Sequence, residues 1–249
     1  MVKELYCCYQ SFRVVNPNWP KRKVILHCFF SVRALLYHKR DSVYFSVFKK
    51  INKKIVIKNK EILDDIYKTS GVVFITIHAD SYPLLGKIYH DFFGKRSLVV
   101  PYLFNSKLPF VSRLKRKFAE YGVQIVGLGG AMTVVDKVLS SGGSVCLFLD
   151  AELSVNHRQA VTLFNREIRM STGSYFLAKK YNMPIVPVYI KSSKKIITLN
   201  IQKPILVGNG NQETVMQKVA NALEELIRSN LKSWQTFDRF LLNPNQQQS

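Results

Sequence analysis

From residue 54 onward, short runs of β-branched and apolar residues alternate with longer segments whose apolar positions recur at helical spacing. Ile55, Val56 and Ile57 form the first short run. The run 72–77, Val-Val-Phe-Ile-Thr-Ile, has no polar face, which is the pattern of a strand covered on both sides. Similar runs predict strands over 97–102, 123–126, 145–149, 185–190 and 195–202. Helices are predicted over 60–67, 82–93, 109–121, 131–139, 172–181 and 212–229. Pro83 stands in the first turn of the second, and Gly122 stops the third. The last carries Val215, Val219, Leu223 and Leu226 on one face. A short helix over 234–242 and a disordered tail, 243–249, close the chain. The polar stretch 150–160 is expected to leave the core. The alternation predicts a single α/β domain over 51–242, with a mixed, mainly parallel sheet flanked by helices.

Residues 1–50 differ. They are rich in aromatics and in Lys and Arg, and Pro17 and Pro20 divide them. The second segment, 21–40, has a basic start at Lys21, Arg22 and Lys23, an apolar middle, and a basic end at His38, Lys39 and Arg40. Two readings fit it: a helix lying in a lipid headgroup layer, or a core helix whose charged ends snorkel to water. The first makes residues 1–50 a helical, basic, membrane-associating segment. No uncharged apolar run reaches the roughly 18 residues a spanning helix needs. The best stretch, 24–37, contains His27 and Arg33. The start of the chain lacks the layout of a signal peptide, so the protein is expected to stay on the side where it is made.

Lys and Arg number 37 against 16 Asp and Glu, a formal charge of +21, and such an excess needs an anionic partner. Nucleic acid, an anionic membrane surface and acidic proteins are the candidates. No helix-turn-helix, zinc or aromatic RNA-binding signature is present, so nucleic acid is not expected. Cys7, Cys8, Cys28 and Cys146 have no metal-ligand spacing and no disulfide framework, which fits a reducing compartment. No metal site is expected. Lipidation of Cys7-Cys8 is one reading; two apolar helix residues is the commoner one.

In open α/β sheets, ligands bind beyond the carboxyl ends of the strands. Two predicted strand ends carry reactive side chains: His78 and Asp80 after the first, Asp150 and Glu152 after the second. An imidazole with a carboxylate neighbour makes a general base of suitable pKa and fixed orientation. Asp80 is read either as that neighbour or as a simple helix cap. Gly127 to Gly130 is a strand-to-helix turn without a dinucleotide or P-loop fingerprint. No Ser occupies a nucleophile elbow. Cys28 stands beside His27, but neighbours on a helix point to different faces. Covalent catalysis is therefore not the first choice.

These residues, in order, resemble a known family. The strand–His78–helix unit is followed by Asp150-Ala151-Glu152-Leu153-Ser154, then Val161-Thr162-Leu163-Phe164 and Ser171-Thr172-Gly173. Leu177-Ala178 and the block Met183-Pro184-Ile185-Val186-Pro187-Val188 come next. The pattern is similar to that of the lysophospholipid acyltransferase superfamily, and within it to the late acyltransferases of bacterial lipid A biosynthesis. Trp234 and Phe237-Asp238-Arg239-Phe240 are similar to that family's closing segment. The likeness covers roughly residues 50–242. It implies a glycerol-3-phosphate acyltransferase-like fold. The family carries an acid five residues after its histidine, where this chain has Pro83. A divergent branch without that acid, the lipid A glycyltransferases, confers resistance to cationic peptides, and this chain resembles it in that one respect.

The resemblance implies transfer of an acyl or aminoacyl group from a carrier-protein thioester to lipid A or a related membrane lipid, with no bound cofactor. His78 would act as the base, oriented by Asp80, with Glu152 or Asp150 as rivals. Arg158 or Arg166 would face an oxyanion or a lipid phosphate, or form a plain solvated surface. Lys115 and Arg116, in a basic stretch with Lys107, Arg113 and Lys117, would meet an acidic carrier protein or an anionic lipid. A monomer on the cytoplasmic face of the bacterial inner membrane is expected. A non-catalytic lipid-binding relative is the alternative.

Overall fold

A computed structural model describes residues 2–31, 33, 53–93, 96–102, 115, 116, 118–120, 122–127, 130–150 and 157–234. The strands are β1 (Lys54–Lys58), β2 (Val73–Thr76), β3 (Leu98–Tyr102), β4 (Val123–Gly127), β5 (Ser144–Phe148), β6 (Arg158–Leu163), β7 (Arg166–Ser171), β8 (Ile185–Ser192) and β9 (Ile196–Ile201). The helices are α1 (Val2–Val15), α2 (21–31), α3 (Lys60–Ile66), α4 (Leu85–Phe92), α5 (Ala131–Ser140), α6 (Gly173–Tyr181) and α7 (Gln212–Ser229). Seven strands form one sheet in the order β1-β9-β8-β2-β5-β3-β4. The five from β8 to β4 are parallel; β9 runs antiparallel to β8 and carries β1 parallel to itself. This is the mixed, mainly parallel α/β domain that the hydrophobic pattern predicts.

The central strands are apolar on both faces because helices cover both. Val73 and Ile75 of β2, Val145 of β5 and Ile185 of β8 pack into a core closed by α5, α6 and α7. Phe74, Cys146, Val186 and Val188 point the other way, into a core closed by α3 and α4. Period-two alternation therefore sorts residues between two cores rather than between core and water.

Three features differ from the expectation. Residues 158–171, within and after the stretch expected to be polar and peripheral, include an antiparallel hairpin, β6–β7, lying on α7. Val161, Leu163, Ile168 and Met170 turn inward while Thr162, Glu167 and Arg169 turn out. Its two-residue turn is Phe164-Asn165, both at positive φ, 51° and 60°. Phe is not a turn former, so composition hides the hairpin. The 82–93 segment opens as a 3-10 turn, Tyr82–Leu84, before becoming α4. Trp234 starts no helix; it pairs in an isolated bridge with Ala79, and 235–242 lie outside the described residues. Of the segment 109–121, residues 115, 116, 118 and 119 are helical and most of the rest lies outside the description.

The N-terminal helices dock on the domain. Val14 and Val15 of α1 join the first core, and Arg228 Nη1 of α7 donates to the Val15 carbonyl at 3.1 Å. Cys8, Phe12, Val24 and Cys28 make a small cluster between α1 and α2. Both thiols of that cluster are buried.

The start of β2 is tightly constrained. A Cβ on Gly71 would lie 1.9 Å from the carbonyl oxygen of Gly143, the residue before β5. Backbone cannot yield as a flexible side chain can. Gly71→Ala is expected to destabilise the protein by about 3 kcal/mol, the upper range for overpacking, measured by chemical denaturation.

Candidate active site

β2 and β5 are parallel neighbours with Thr76 level with Phe148. The pairing runs on past the strand ends, where Leu149 N–H donates to the Thr76 carbonyl at 3.1 Å. Two residues beyond each strand stand His78 and Asp150, so the sheet's register sets them side by side. His78 Nδ1 lies 2.8 Å from Asp150 Oδ1, and the His78 backbone N–H donates to Asp150 Oδ2 at 2.8 Å. Trp234 Nε1–H donates to the same Oδ2, also at 2.8 Å.

Asp150 has no exposed side-chain surface, whereas 23% of the His78 side chain is exposed. A buried carboxylate accepting from Nδ1 assigns the proton to that nitrogen and leaves the Nε2 lone pair available. Nε2 makes no hydrogen bond to a described residue. Phe148 lies against the imidazole at 4.4 Å between ring centroids, and Tyr82 meets it edge-on at 5.0 Å. The ring is thus held by one carboxylate and two aromatic walls, with one edge toward solvent. Burial pushes the Cys146 thiol up to about 12, so it stays protonated near neutrality and is a poor nucleophile.

Asp80 is placed differently from either reading of the sequence. Its Oδ2 accepts from Ser233 Oγ at 2.8 Å, and its N–H donates to the Ser233 carbonyl at 3.2 Å. It stands at φ 52°, a conformation Asp tolerates better than most residues. The residue capping the following turn is Ser81, and no side chain caps it. Asp80 therefore fastens the loop after β2 to the residues after α7.

A family model of bacterial lipid A biosynthesis acyltransferases matches residues 19–242 of this chain. The chain belongs to that family. Among curated proteins, none matches it. Membership makes the protein an acyltransferase-type chain, and acyl transfer to a lipid is the activity the family implies. The match begins inside the segment read as 1–50. In this acyltransferase the position five residues after the histidine, Pro83, lies in the 3-10 turn and offers no carboxylate. The acid on the imidazole comes from the end of β5.

The remaining candidates are dispersed. Glu152 lies outside the described residues, as do Lys107, Arg113 and Lys117. Lys115 is half-buried and Arg116 exposed in a helical stretch. Arg158 pairs with Ser171, and Arg166 with Leu163, at opposite ends of the β6–β7 ladder. Five residues of strand, roughly 17 Å at the usual rise, separate them. His90 sits by Asp91, which also pairs with Lys87. A cleft of about 910 Å³ opens between α2, the β8–β9 turn and the end of α7. Its lining includes Arg33, Lys191, Lys194 and Lys232, with Trp19 and Phe30, and it reaches Asp80 and Ser233. Sequence reading missed this cleft, because its cations come from three distant parts of the chain. It also missed Tyr82 and Phe148 as walls of the imidazole.

Removing the buried carboxylate strands N–H groups of His78 and Trp234. Asp150→Ala is expected to cost about 3 kcal/mol of stability, the sum of stranded buried donors less relaxation. Asp80→Ala, which removes a carboxylate bonded to the Ser233 hydroxyl, is expected to cost about 2 kcal/mol. Urea titrations of the two variants measure the difference.

Proposed function

We propose that the protein transfers an acyl or aminoacyl group from a carrier-protein thioester to a hydroxyl of lipid A or a related membrane lipid. The observation that carries this reading is the 2.8 Å contact between His78 Nδ1 and the buried Asp150 carboxylate, in an imidazole that stays partly exposed. The acceptor hydroxyl gives its proton to Nε2 as its oxygen attacks the thioester carbonyl carbon. A C–O bond forms, the C–S bond breaks, and the imidazolium returns the proton to the departing sulfur. The products are an ester and a free carrier thiol. Asp150 keeps Nδ1 protonated throughout and faces the positive ring once it forms. A thioester is already activated, so base, orientation and positioning carry most of the work.

The same reading places the protein on the cytoplasmic surface of the inner membrane, as a monomer with an acidic carrier protein as partner. Supporting this, α2 buries Val24 and Cys28 while Ile25, Leu26 and Phe29 stay 60, 49 and 65% exposed. Lys21, Arg22 and Lys23 begin the same helix and are exposed. An outward apolar face beside cations is what a headgroup layer accepts. Each cation near an anionic surface contributes about 1 kcal/mol. Among the described residues, no helix is long and apolar enough to cross a membrane. The cations of the 910 Å³ cleft are suited to the phosphates of such a lipid.

One observation favours glycine as the transferred group. Pro83 stands where the family has an acid, a departure shared with the glycyl-transferring branch.

The test is transfer by purified protein from acyl- and glycyl-loaded carrier to lipid A, read by mass spectrometry of the lipid. A gain of one glycine residue or of one long acyl chain identifies the donor. His78→Ala is expected to lower the rate roughly 10²–10⁴-fold, the worth of a general base, with binding to phosphatidylglycerol vesicles unchanged. Phe29→Glu is expected to weaken vesicle binding. Transfer that survives His78→Ala overturns the role of His78. No transfer from either donor favours the non-catalytic relative.

A further inference from the structure

We infer that Trp234 is a positioning residue for the His78–Asp150 pair, and that the turn after α7 acts as a clamp across the two strand ends. This rests on His78 being the base and adds a part that neither the family match nor the strand-end pattern assigns.

Trp234 is 1% exposed, and its indole N–H reaches Asp150 Oδ2 at 2.8 Å. The other carboxylate oxygen, Oδ1, holds the imidazole. A carboxylate bound on one oxygen alone can swing about its χ2 torsion, which is broad and shallow. A donor on the second oxygen restricts that swing and fixes Oδ1 in the plane that Nδ1–H needs. The His78 N–H also binds Oδ2, but it belongs to the same residue as the imidazole that is to be positioned. Trp234 binds from a third element.

That element is itself anchored. Trp234 N–H and Ser233 N–H both donate to the Asn230 carbonyl, at 2.9 Å each, closing a turn on the end of α7. Asn230 Nδ2 donates back to the Leu226 carbonyl at 2.8 Å. Ser233 then takes both the backbone and the side chain of Asp80, while Trp234 pairs with Ala79 and holds Asp150. Five residues after α7 thus bind the loop after β2 and the loop after β5 at once. Ordinary scaffolding would need only apolar packing of the indole. The N–H aimed at the dyad's acid is the feature that packing does not require.

The experiment replaces Trp234 with 3-benzothienylalanine, which keeps the bulk of the ring and lacks the N–H. Nitrogen-15 NMR of the His78 imidazole reports its tautomer without reference to turnover. The expected result is a shift from Nδ1–H alone to a mixture of tautomers. Alongside it, kcat falls roughly ten- to hundredfold with KM unchanged, the worth of one hydrogen bond to a charged group. Trp234→Phe serves as a second variant, and hydrogen exchange of the Trp234 indole N–H in the unaltered protein as a measurement that needs no variant. Exchange at the rate of an exposed indole overturns the clamp, as does a variant with the original tautomer and kcat. A tautomer shift with turnover intact keeps the clamp and overturns instead the reading of His78 as base.

Discussion

The structure depends on one register. Thr76 of β2 lies level with Phe148 of β5, and two residues further His78 meets Asp150. Burying a carboxylate costs several kcal/mol unless it is paired and hydrogen-bonded. Here the His78 backbone, its ring and Trp234 all donate to it. Hydrogen bonds to a charged group contribute about 1.5–3 kcal/mol each, enough to offset that cost. The site therefore needs β2, β5 and the turn after α7 together. A slip of one residue between the two strands would turn the acid to the other face of the sheet.

The register also explains how an acid reaches the imidazole although position 83 is a proline. A helix that follows the histidine could present a carboxylate only from one turn further along the same loop. Here the acid comes from the end of β5, by strand pairing rather than by helical spacing. The loop after β2 is then freed for another task. It bends sharply at Asp80, φ 52°, and is fastened to Ser233.

Charge and apolar surface meet at the cleft that borders the loop after β2. The excess of +21 is a property of the whole chain, but its arrangement matters more than its size. Arg33, Lys191, Lys194 and Lys232 gather around one cleft beside α2, whose outer face shows Ile25, Leu26 and Phe29. Cations beside exposed apolar residues suit an interface between water and lipid. That arrangement brings the loop after β2, through Asp80, to the edge of the same cleft.

Local pattern was enough for the central sheet. The runs from Val72 to Ile77 and from Val145 to Leu149 declare buried strands because both faces are apolar, and the helix Gln212–Ser229 declares itself by its apolar stripe. The position of His78 and Asp150 just after such strands was equally legible. The β6–β7 hairpin was not, since Phe164 at positive φ gives no turn signal. What sequence alone could not decide was which acid meets the imidazole. Asp80 is two residues from His78 and Asp150 is 72 away, yet the distant one makes the contact. Spacing reports neighbours along the chain, while strand order, with β5 inserted beside β2, decides neighbours in space. The strands themselves follow from short-range hydrophobic periodicity. Their order, and so the dyad and its tryptophan donor, follows from how helices must cover both faces of a twisted sheet, which is a property of the packed whole.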